Sequence, residues 1–343
     1  MSVAPCPAPP AAAAPHPAAI LYRETRPFPA LPVCEHYAGN EKLMRRALAL
    51  QHTLGPVFDL TCDCEDGAPA GAEIDQAKLI ASVIASADNR FGRIGARIHD
   101  IAHPHWRDEL DIIVSAAGDR LAYVTFPKAG GRQDVQLMLM TLAAIVKANG
   151  IEQPIPAHVL IETHGALREV EEIAALPGIE TLDFGLMDFV SGHHGAIPAS
   201  AMRSPGQFTH PLVARAKCAI AAAALGHGLV PAHNVTTELR DAQATWADAR
   251  RARDEFGYLR MWSIHPNQIE PIIDAMRPGF DEVSAAAAIL IAAQAADWGP
   301  IRQDDRLHDR ASYRYYWELL QRARVTGMDV PDEARRRFFS ATA

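Results

Sequence analysis

The amino-acid sequence predicts an α/β protein built as a closed (β/α)₈ barrel, followed by a C-terminal helical extension. From residue 30 onward, short runs of β-forming residues alternate with longer helical stretches, the pattern of repeated βα units around a parallel sheet. Eight such units precede residue 300, and no linker-like stretch divides them. Hydrophobic residues make up 49% of the chain, which is enough for a core of this size.

The candidate elements follow one another in a regular order. The strands are predicted at residues 30–33, 57–61, 94–98, 122–126, 158–161, 180–184, 228–232 and 261–264. Helices lie between them, for example at residues 134–148, 166–175 and 211–225. We expect residues 1–20, which are rich in alanine and proline, to be a disordered leader. Residues 21–300 would then form the catalytic barrel, and residues 301–343 a helical extension that packs on a neighbouring subunit.

Charge, hydropathy and cysteine content exclude several classes of protein. The net charge is −8 and no basic stripe is present, which argues against a nucleic-acid partner. No apolar run reaches the roughly 18 residues of a membrane span. The five cysteines form no CxxC pair, which indicates free thiols in a reducing compartment. We therefore expect a cytoplasmic protein that acts on a small-molecule substrate.

Polar residues follow all eight predicted strands. In strand order they are Glu35 and His36; Asp63, Glu65 and Asp66; His99 and Asp100; Lys128; Glu162; Asp188; His233 and Asn234; and His265. Because the C-terminal ends of barrel strands open on one face, these groups are expected to converge on one mouth. Some of them must simply be helix caps. A polar group after every strand nevertheless favours a functional site there.

Two acidic residues, Glu162 and Asp188, follow neighbouring strands and are the candidate metal ligands. Two carboxylates held close together in a cleft repel each other, unless one takes up a proton or a cation lies between them. Oxygen ligands with open positions suit Mg²⁺, which usually keeps several waters and binds one or two carboxylates. The alternative is structural, with Glu162 paired to an arginine and Asp188 capping a helix.

Arg97, on the third predicted strand, is the candidate anion-binding residue. Its planar guanidinium can hold a carboxylate or a polarised carbonyl by two parallel hydrogen bonds. A barrel strand that points an arginine inward without such a partner would be costly. The sequence therefore predicts a substrate contact at Arg97.

Six segments at these strand ends form one ordered series. They are Phe58-Asp59-Leu60-Thr61-Cys62-Asp63-Cys64-Glu65-Asp66-Gly67-Ala68, Arg97-Ile98-His99, Pro127-Lys128, Leu160-Ile161-Glu162-Thr163, Phe184-Gly185-Leu186-Met187-Asp188 and Ile264-His265-Pro266-Asn267-Gln268. Together they resemble the motifs of the citrate lyase β-subunit/malyl-CoA lyase (HpcH/HpaI aldolase) family, over roughly residues 30–310. Each motif alone is weak, but six in the same order are specific.

The resemblance implies a Mg²⁺-dependent barrel of the phosphoenolpyruvate/pyruvate-domain type. Members cleave 3-hydroxyacyl-CoA thioesters such as malyl-CoA or citryl-CoA, or run the reverse condensation, and we expect a homo-oligomer, a trimer or hexamer. Glu162 and Asp188 would bind the metal, and Arg97 would bind substrate oxygens. Glu65 and Asp66 would form an acidic shell that orders metal-bound water. The remaining candidates for substrate contact at the mouth are Asp63, Lys128 and His265.

In the family, an aspartate beyond the barrel reaches the site of a neighbouring subunit. The corresponding position here is Asp309, in Asp305-Arg306-Leu307-His308-Asp309, which makes it the candidate acid/base. Gly327-Met328-Asp329 is a rival match. The alternative for Asp309 is a solvated loop aspartate.

Departures from the family pattern keep other functions open. Ala129-Gly130 replaces the usual Val-Glu, and Gly257-Tyr258-Leu259-Arg260-Met261 replaces Gly-Phe-x-Gly-Lys, so that a small residue and a cation are lost. A related hydroxyacid is therefore an alternative substrate. Two alternative functions are a class II pyruvate or 2-oxoacid aldolase and a catalytically silent binding or scaffold paralogue. The acidic run Asp63–Asp66 and the tail beyond the barrel favour the lyase.

Overall fold

The computed structural model describes residues 15–22 and 28–340, and the chain divides into two compact units. The first unit comprises Phe28–Arg277 together with Val325–Gly327. The second contains Pro278–Arg324, the residues from Met328 onward and the described part of the N-terminal segment. Residues 278–300, which the predicted boundaries assigned to the barrel, therefore belong to the second unit.

Eight parallel strands close into a barrel in the first unit, which confirms the predicted fold class. The strands are β1 Cys34–Ala38, β2 Phe58–Asp63, β3 Ile94–Arg97, β4 Val124–Phe126, β5 Ala157–Ile161, β6 Ile179–Phe184, β7 Val230–His233 and β8 Arg260–Ser263. Each strand pairs with the next in the chain, and β1 pairs with β8 to close the ring. The second unit contains a short antiparallel pair, β9 Ile301–Gln303 and β10 Arg306–His308.

Helices follow the strands of the first unit, and the second unit contains helices of its own. In chain order they are α1 Pro17–Leu21, α2 Glu41–Leu54, α3 Glu73–Ala85, α4 Trp106–Ala117, α5 Arg132–Ala148, α6 His164–Arg168, α7 Val170–Ala174, α8 Leu186–Ser191, α9 Gly206–Thr209, α10 Pro211–Gly226, α11 Ala242–Phe256, α12 Ile269–Met276, α13 Phe280–Ala295, α14 Arg310–Val325 and α15 Asp332–Phe338. None of the helices within the described residues combines the length and the apolar character that a bilayer crossing requires.

The first strand lies four residues later than predicted. The apolar run at residues 30–33 precedes β1, whose own sequence, Cys34-Glu35-His36-Tyr37-Ala38, contains a glutamate and a histidine. Both polar side chains are buried, and Cys34 pairs with Met261 of β8. Glu35 and His36 therefore lie within the barrel wall, and the prediction that they follow the first strand was wrong.

The barrel encloses a buried ion network centred on Arg260. The guanidinium Nε and Nη2 donate to Glu35 Oε2 at 3.0 and 2.8 Å, and Nη1 donates to Asp59 Oδ2 at 2.7 Å. All three side chains are at most 1% exposed. The register of β1 with β2 places Glu35 beside Asp59. Arg260, at which the sequence departs from the family pattern, therefore supplies the cation that two buried carboxylates require.

Two more ionisable groups join this network on neighbouring strands. His158 Nδ1 lies 3.5 Å from Glu35 Oε2, and its ring stacks on that of Tyr123 with centroids 3.7 Å apart. Burial opposes the charged imidazole, but the carboxylate of Glu35 outweighs it and raises the pKa of His158 to about 9. Burial and the charge of Glu35 raise the pKa of Asp183 to about 7. The interior of the barrel is thus a balanced set of charges.

The second unit packs its helices around an aromatic core. Trp298, Tyr313 and Trp317 are almost fully buried. The N-terminal segment contributes to this unit, because Trp298 Nε1 donates to the carbonyl of Pro15 at 3.0 Å. The side chain of His16 caps α1. Residues 17–20, predicted as part of a disordered leader, are therefore helical, whereas residues 1–14 lie outside the described part of the chain.

Candidate active site

Arg97 ends β3 next to Asp63, which ends β2, and the two residues are partners in the sheet register. Arg97 Nε donates to Asp63 Oδ1 at 2.7 Å, and Nη2 donates to Oδ2 at 2.5 Å. Arg97 Nη1 lies 2.8 Å from Glu65 Oε2. The ring of Tyr37 packs against the guanidinium, with Arg97 Cζ 5.2 Å from the ring centroid. Asp63 therefore occupies Nε and Nη2, the edge of the guanidinium that forms two parallel hydrogen bonds.

Asp63 is a buried hub of hydrogen bonds. Besides the two bonds from Arg97, it accepts the backbone N–H of Glu65 at 3.0 Å and that of Gly67 at 2.9 Å. A Cβ at position 67 would lie 2.4 Å from Asp63 Oδ2, so this approach needs glycine. The four contacts that Asp63 accepts suit a residue that positions Arg97 and the loop that contains Glu65 and Gly67. We interpret Asp63 as a residue that positions Arg97, and its predicted contact with substrate stays a prediction.

Glu162 lies directly beyond β5 and is 3% exposed. Its Oε1 accepts the backbone N–H of Lys128 at 2.7 Å. A Cβ at position 185, at the end of β6, would lie 2.0 Å from Glu162 Oε2, so only glycine fits there. Asp188 follows in the first turn of α8. Burial, and then the charge of Asp188, raise the pKa of Glu162 to about 8. The structure thus brings both predicted metal ligands to one rim.

Lys128 connects the acidic groups of this rim. Its ammonium Nζ lies 3.0 and 2.9 Å from the two carboxylate oxygens of Asp66, and 3.9 Å from Asp188 Oδ1. It also contacts the carboxylate of Glu65. Partial burial opposes the charged form, but these carboxylates outweigh it and raise the pKa of Lys128. Contact with Lys128 likewise outweighs burial at Asp66 and lowers the pKa of that carboxyl.

Three further predicted site residues are His265, Asp309 and Asp329, and the first two have structural contacts of their own. His265 caps the short 3-10 helix Pro266–Gln268, because its Nδ1 accepts the N–H of Asn267 at 3.2 Å. Asp309 belongs to the second unit, where its carboxylate accepts the N–H of Ala311 at the start of α14. Asp329 is an exposed residue of the same unit. Their predicted contacts with substrate remain predictions.

Two contributors to the site were missed in the sequence. Tyr37 was overlooked because the first strand was placed too early, although it packs under Arg97. Gly185 was read only as part of a motif, although its missing side chain makes room for Glu162. A glycine between an apolar strand and an acidic residue is the signal that would have indicated such a close approach.

The donor set of the rim fits a hard divalent cation. Glu162 and Asp188 offer carboxylate oxygens, and the neighbouring groups are the carboxylates Glu65 and Asp66. Thiolate and imidazole ligands, which zinc prefers, do not belong to this cluster of described residues. The raised pKa of Glu162 shows a buried carboxyl whose negative charge is poorly compensated, which a cation would correct.

Comparison with known proteins identifies relatives of this chain. Residues 57–266 match the HpcH/HpaI aldolase/citrate lyase family. The L-malyl-CoA/β-methylmalyl-CoA lyase of Cereibacter sphaeroides is 30% identical over 283 residues, which cover 78% of this chain and 87% of that protein. The malyl-CoA/β-methylmalyl-CoA/citramalyl-CoA lyase of Chloroflexus aurantiacus is 26% identical over 298 residues, or 81% of this chain and 84% of that protein.

Solved structures show the same architecture. A citrate lyase from Burkholderia xenovorans is 56% identical, with a TM-score of 0.82 over 95% of this chain and 100% of that one. The protein CitE of Mycobacterium tuberculosis, solved with magnesium, acetoacetate and coenzyme A, has a TM-score of 0.64 at 20% identity, covering 86% of this chain and 98% of that one. The second likeness concerns the fold alone. By its sequence match over residues 57–266 and its 30% identity to a malyl-CoA lyase, this chain belongs to the HpcH/HpaI aldolase/citrate lyase family.

Proposed function

We propose that the protein is a Mg²⁺-dependent carbon–carbon lyase that acts on a 3-hydroxyacyl-CoA of the malyl-CoA type. One observation carries the proposal: two carboxylates, Glu162 and Asp188, lie on one rim of the barrel beside a buried arginine. The relatives named above support the thioester, since malyl-CoA lyases are among them. A related hydroxyacid, a homo-oligomeric assembly and a cytoplasmic location remain predictions.

The reaction breaks the bond between the hydroxyl-bearing carbon and the carbon beside the thioester carbonyl. Negative charge develops on the thioester oxygen as the hydroxyl proton leaves. A divalent ion held by Glu162 and Asp188 would supply Lewis-acid stabilisation of that charge. Arg97 would contribute the N–H groups that Asp63 and Glu65 leave unused, and Asp63 would fix its orientation in advance. Asp309 or Asp329, contributed by a neighbouring subunit, would carry the proton.

The alternative of a silent scaffold paralogue loses part of its support. It rests on the changes at Gly130, Arg260 and Met261, and Arg260 makes its ion pairs with Glu35 and Asp59 inside the barrel. The rim groups Arg97, Glu162 and Asp188 are all present in the chain. The departure therefore alters the interior of the barrel while it leaves the candidate chemistry in place.

The activity is tested by supplying thioesters and free acids side by side, with Mg²⁺ or with a chelator. We expect Mg²⁺-dependent release of acetyl-CoA and glyoxylate from malyl-CoA, and a slower reaction with free hydroxyacids. Release of pyruvate from 4-hydroxy-2-oxoacids, without thioester cleavage, would identify the class II aldolase instead. Ligand binding without turnover of any substrate would support the scaffold.

The affinity for Mg²⁺ is expected to depend on pH because Glu162 must lose its proton to bind a cation. Its pKa is raised to about 8, so the protonated form dominates below that pH. The dissociation constant should therefore fall by up to about tenfold per pH unit between pH 6 and 8, and then level off. Calorimetry in two buffers of different ionisation enthalpy would detect the released proton. An affinity that stays constant from pH 6 to 8 would contradict this linkage.

A further inference from the structure

Lys128 has an unusual backbone conformation between the two candidate metal ligands. It follows β4 with φ of +48°, in the left-handed region that a non-glycine residue rarely adopts. Its backbone N–H donates to Glu162 Oε1 at 2.7 Å, which helps to hold it there. Strained residues of this kind persist where surrounding contacts over-determine them, and they cluster at functional sites. The main chain of Lys128 is thus tied to one predicted metal ligand.

The side chain of Lys128 reaches the other ligand. Its ammonium lies 3.9 Å from Asp188 Oδ1 and within 3.0 Å of both carboxylate oxygens of Asp66. The next two residues, Ala129-Gly130, offer no acidic group, so these partners come from other strands. The side chain is 28% exposed and that of Asp188 is 41% exposed, so neither is enclosed by the protein.

The charges of the rim indicate that Asp188 cannot contact the Lys128 ammonium and a divalent ion at the same time. Five carboxylates face two cations there; the carboxylates are Asp63, Glu65, Asp66, Glu162 and Asp188. Arg97 is engaged in buried contacts with Asp63 and Glu65. A divalent ion on Glu162 and Asp188 would stand within a few ångströms of the Lys128 ammonium, where like charges repel strongly. The ion and the ammonium therefore compete for the carboxylate of Asp188.

We propose that Lys128 sets the cation affinity of this site, because its ammonium competes with the divalent ion for Asp188. This inference rests on the proposed function. When the ion binds, the ammonium withdraws from Asp188 and keeps its contacts with Glu65 and Asp66. An anionic substrate that attracts Lys128 would have the same effect, and so would favour binding of the ion. Lys128 is a positioning residue in this account.

The test is Mg²⁺ calorimetry on Lys128→Gln beside the wild type and the matched control Lys147→Gln. Lys147 is an exposed lysine in the last turn of α5, so its substitution removes the same charge at a remote position. We expect Lys128→Gln to bind Mg²⁺ at least about tenfold more tightly than the wild type, and Lys147→Gln to match the wild type. An unchanged or weaker affinity in Lys128→Gln would overturn the proposal.

A second measurement separates competition from a general charge effect. Pulse labelling of lysines with an amine-reactive reagent, read by mass spectrometry, should modify Lys128 faster when Mg²⁺ is present, and Lys147 at the same rate. Labelling of Lys128 that is unchanged or slower with Mg²⁺ would overturn the proposed withdrawal, even if the affinities differ. If the wild type and both variants bind no Mg²⁺, the proposed function fails as well, so the two failures are distinguishable.

Discussion

Glu162→Gln is expected to abolish Mg²⁺ binding and to lower kcat/KM by at least about a thousandfold, because a metal ligand and its charge stabilisation are lost together. Glutamine has nearly the same shape, and its side-chain oxygen can still accept the N–H of Lys128. The neutral amide also suits a buried position where burial already disfavours the charged carboxylate. The free energy of unfolding should therefore remain close to that of the wild type.

Calorimetry, steady-state kinetics and urea unfolding of the same preparation would check these three expectations. Glu169→Gln is the matched control, since Glu169 also accepts a backbone N–H, from Arg132 at 2.9 Å, but it is a half-buried residue in the turn between α6 and α7. That control should bind Mg²⁺ normally. Normal Mg²⁺ binding and turnover by Glu162→Gln would show that this carboxylate is not a ligand.

Arg260→Met should lower the free energy of unfolding by about 3–5 kcal/mol, because it leaves Glu35 and Asp59 buried without their cation. His158 lies 3.5 Å from Glu35 and Arg93 lies 3.8 Å from Asp59, so each carboxylate keeps one cation, but at a longer distance than Arg260. The ion pair is fully buried, so solvent does not screen the loss. Urea unfolding near pH 7 measures this change directly.

Adding Glu35→Gln and Asp59→Asn to Arg260→Met should restore much of the lost stability, since the uncompensated buried carboxylates are then removed. The contrasting control is Arg251→Met, which breaks a partly exposed pair with Glu255 and a contact with the ring of Phe208, and is expected to cost about 1–2 kcal/mol. If Arg260→Met costs no more than Arg251→Met, the buried network contributes little to stability.

The location of the site could be predicted because it follows from topology. Parallel strands of a closed barrel present their C-terminal ends on one rim, so polar residues after strands mark that rim. Glu162 and Lys128 were identified in this way, and Arg97 by its place on the third predicted strand; the structure connects these residues with Asp63, Glu65 and Asp66. Neither tertiary contacts nor a bound ion were needed for that step.

The interior of the barrel could not be predicted, because its charges are satisfied by distant parts of the chain. Glu35 and Arg260 lie 225 residues apart in sequence, yet they form one buried ion pair. Glu35 made β1 look less apolar than the preceding run, which moved the predicted strand to residues 30–33. Arg260 looked like the loss of a family feature, because its partner was not apparent from local sequence.

The roles of some rim residues were also beyond local patterns. Asp63 was expected to contact substrate, and the structure instead gives it four acceptor contacts to Arg97 and the acidic loop. His265 caps a 3-10 helix, a role that the sequence did not indicate, and its predicted contact with substrate stays a prediction. A sequence shows which side chains reach a rim, but it does not show which of them already have partners.

The Arg260 network also constrains how this branch of the family can diverge. A chain in which a small residue replaces Arg260 must also lose Glu35 and Asp59 within a few substitutions. Otherwise the two buried carboxylates lack their cation and the protein is less stable. Substitutions at these three positions should consequently be epistatic, each tolerated only in the background of the others. A homologue's catalytic rim can be transplanted onto this barrel most safely when that interior trio is left as a unit.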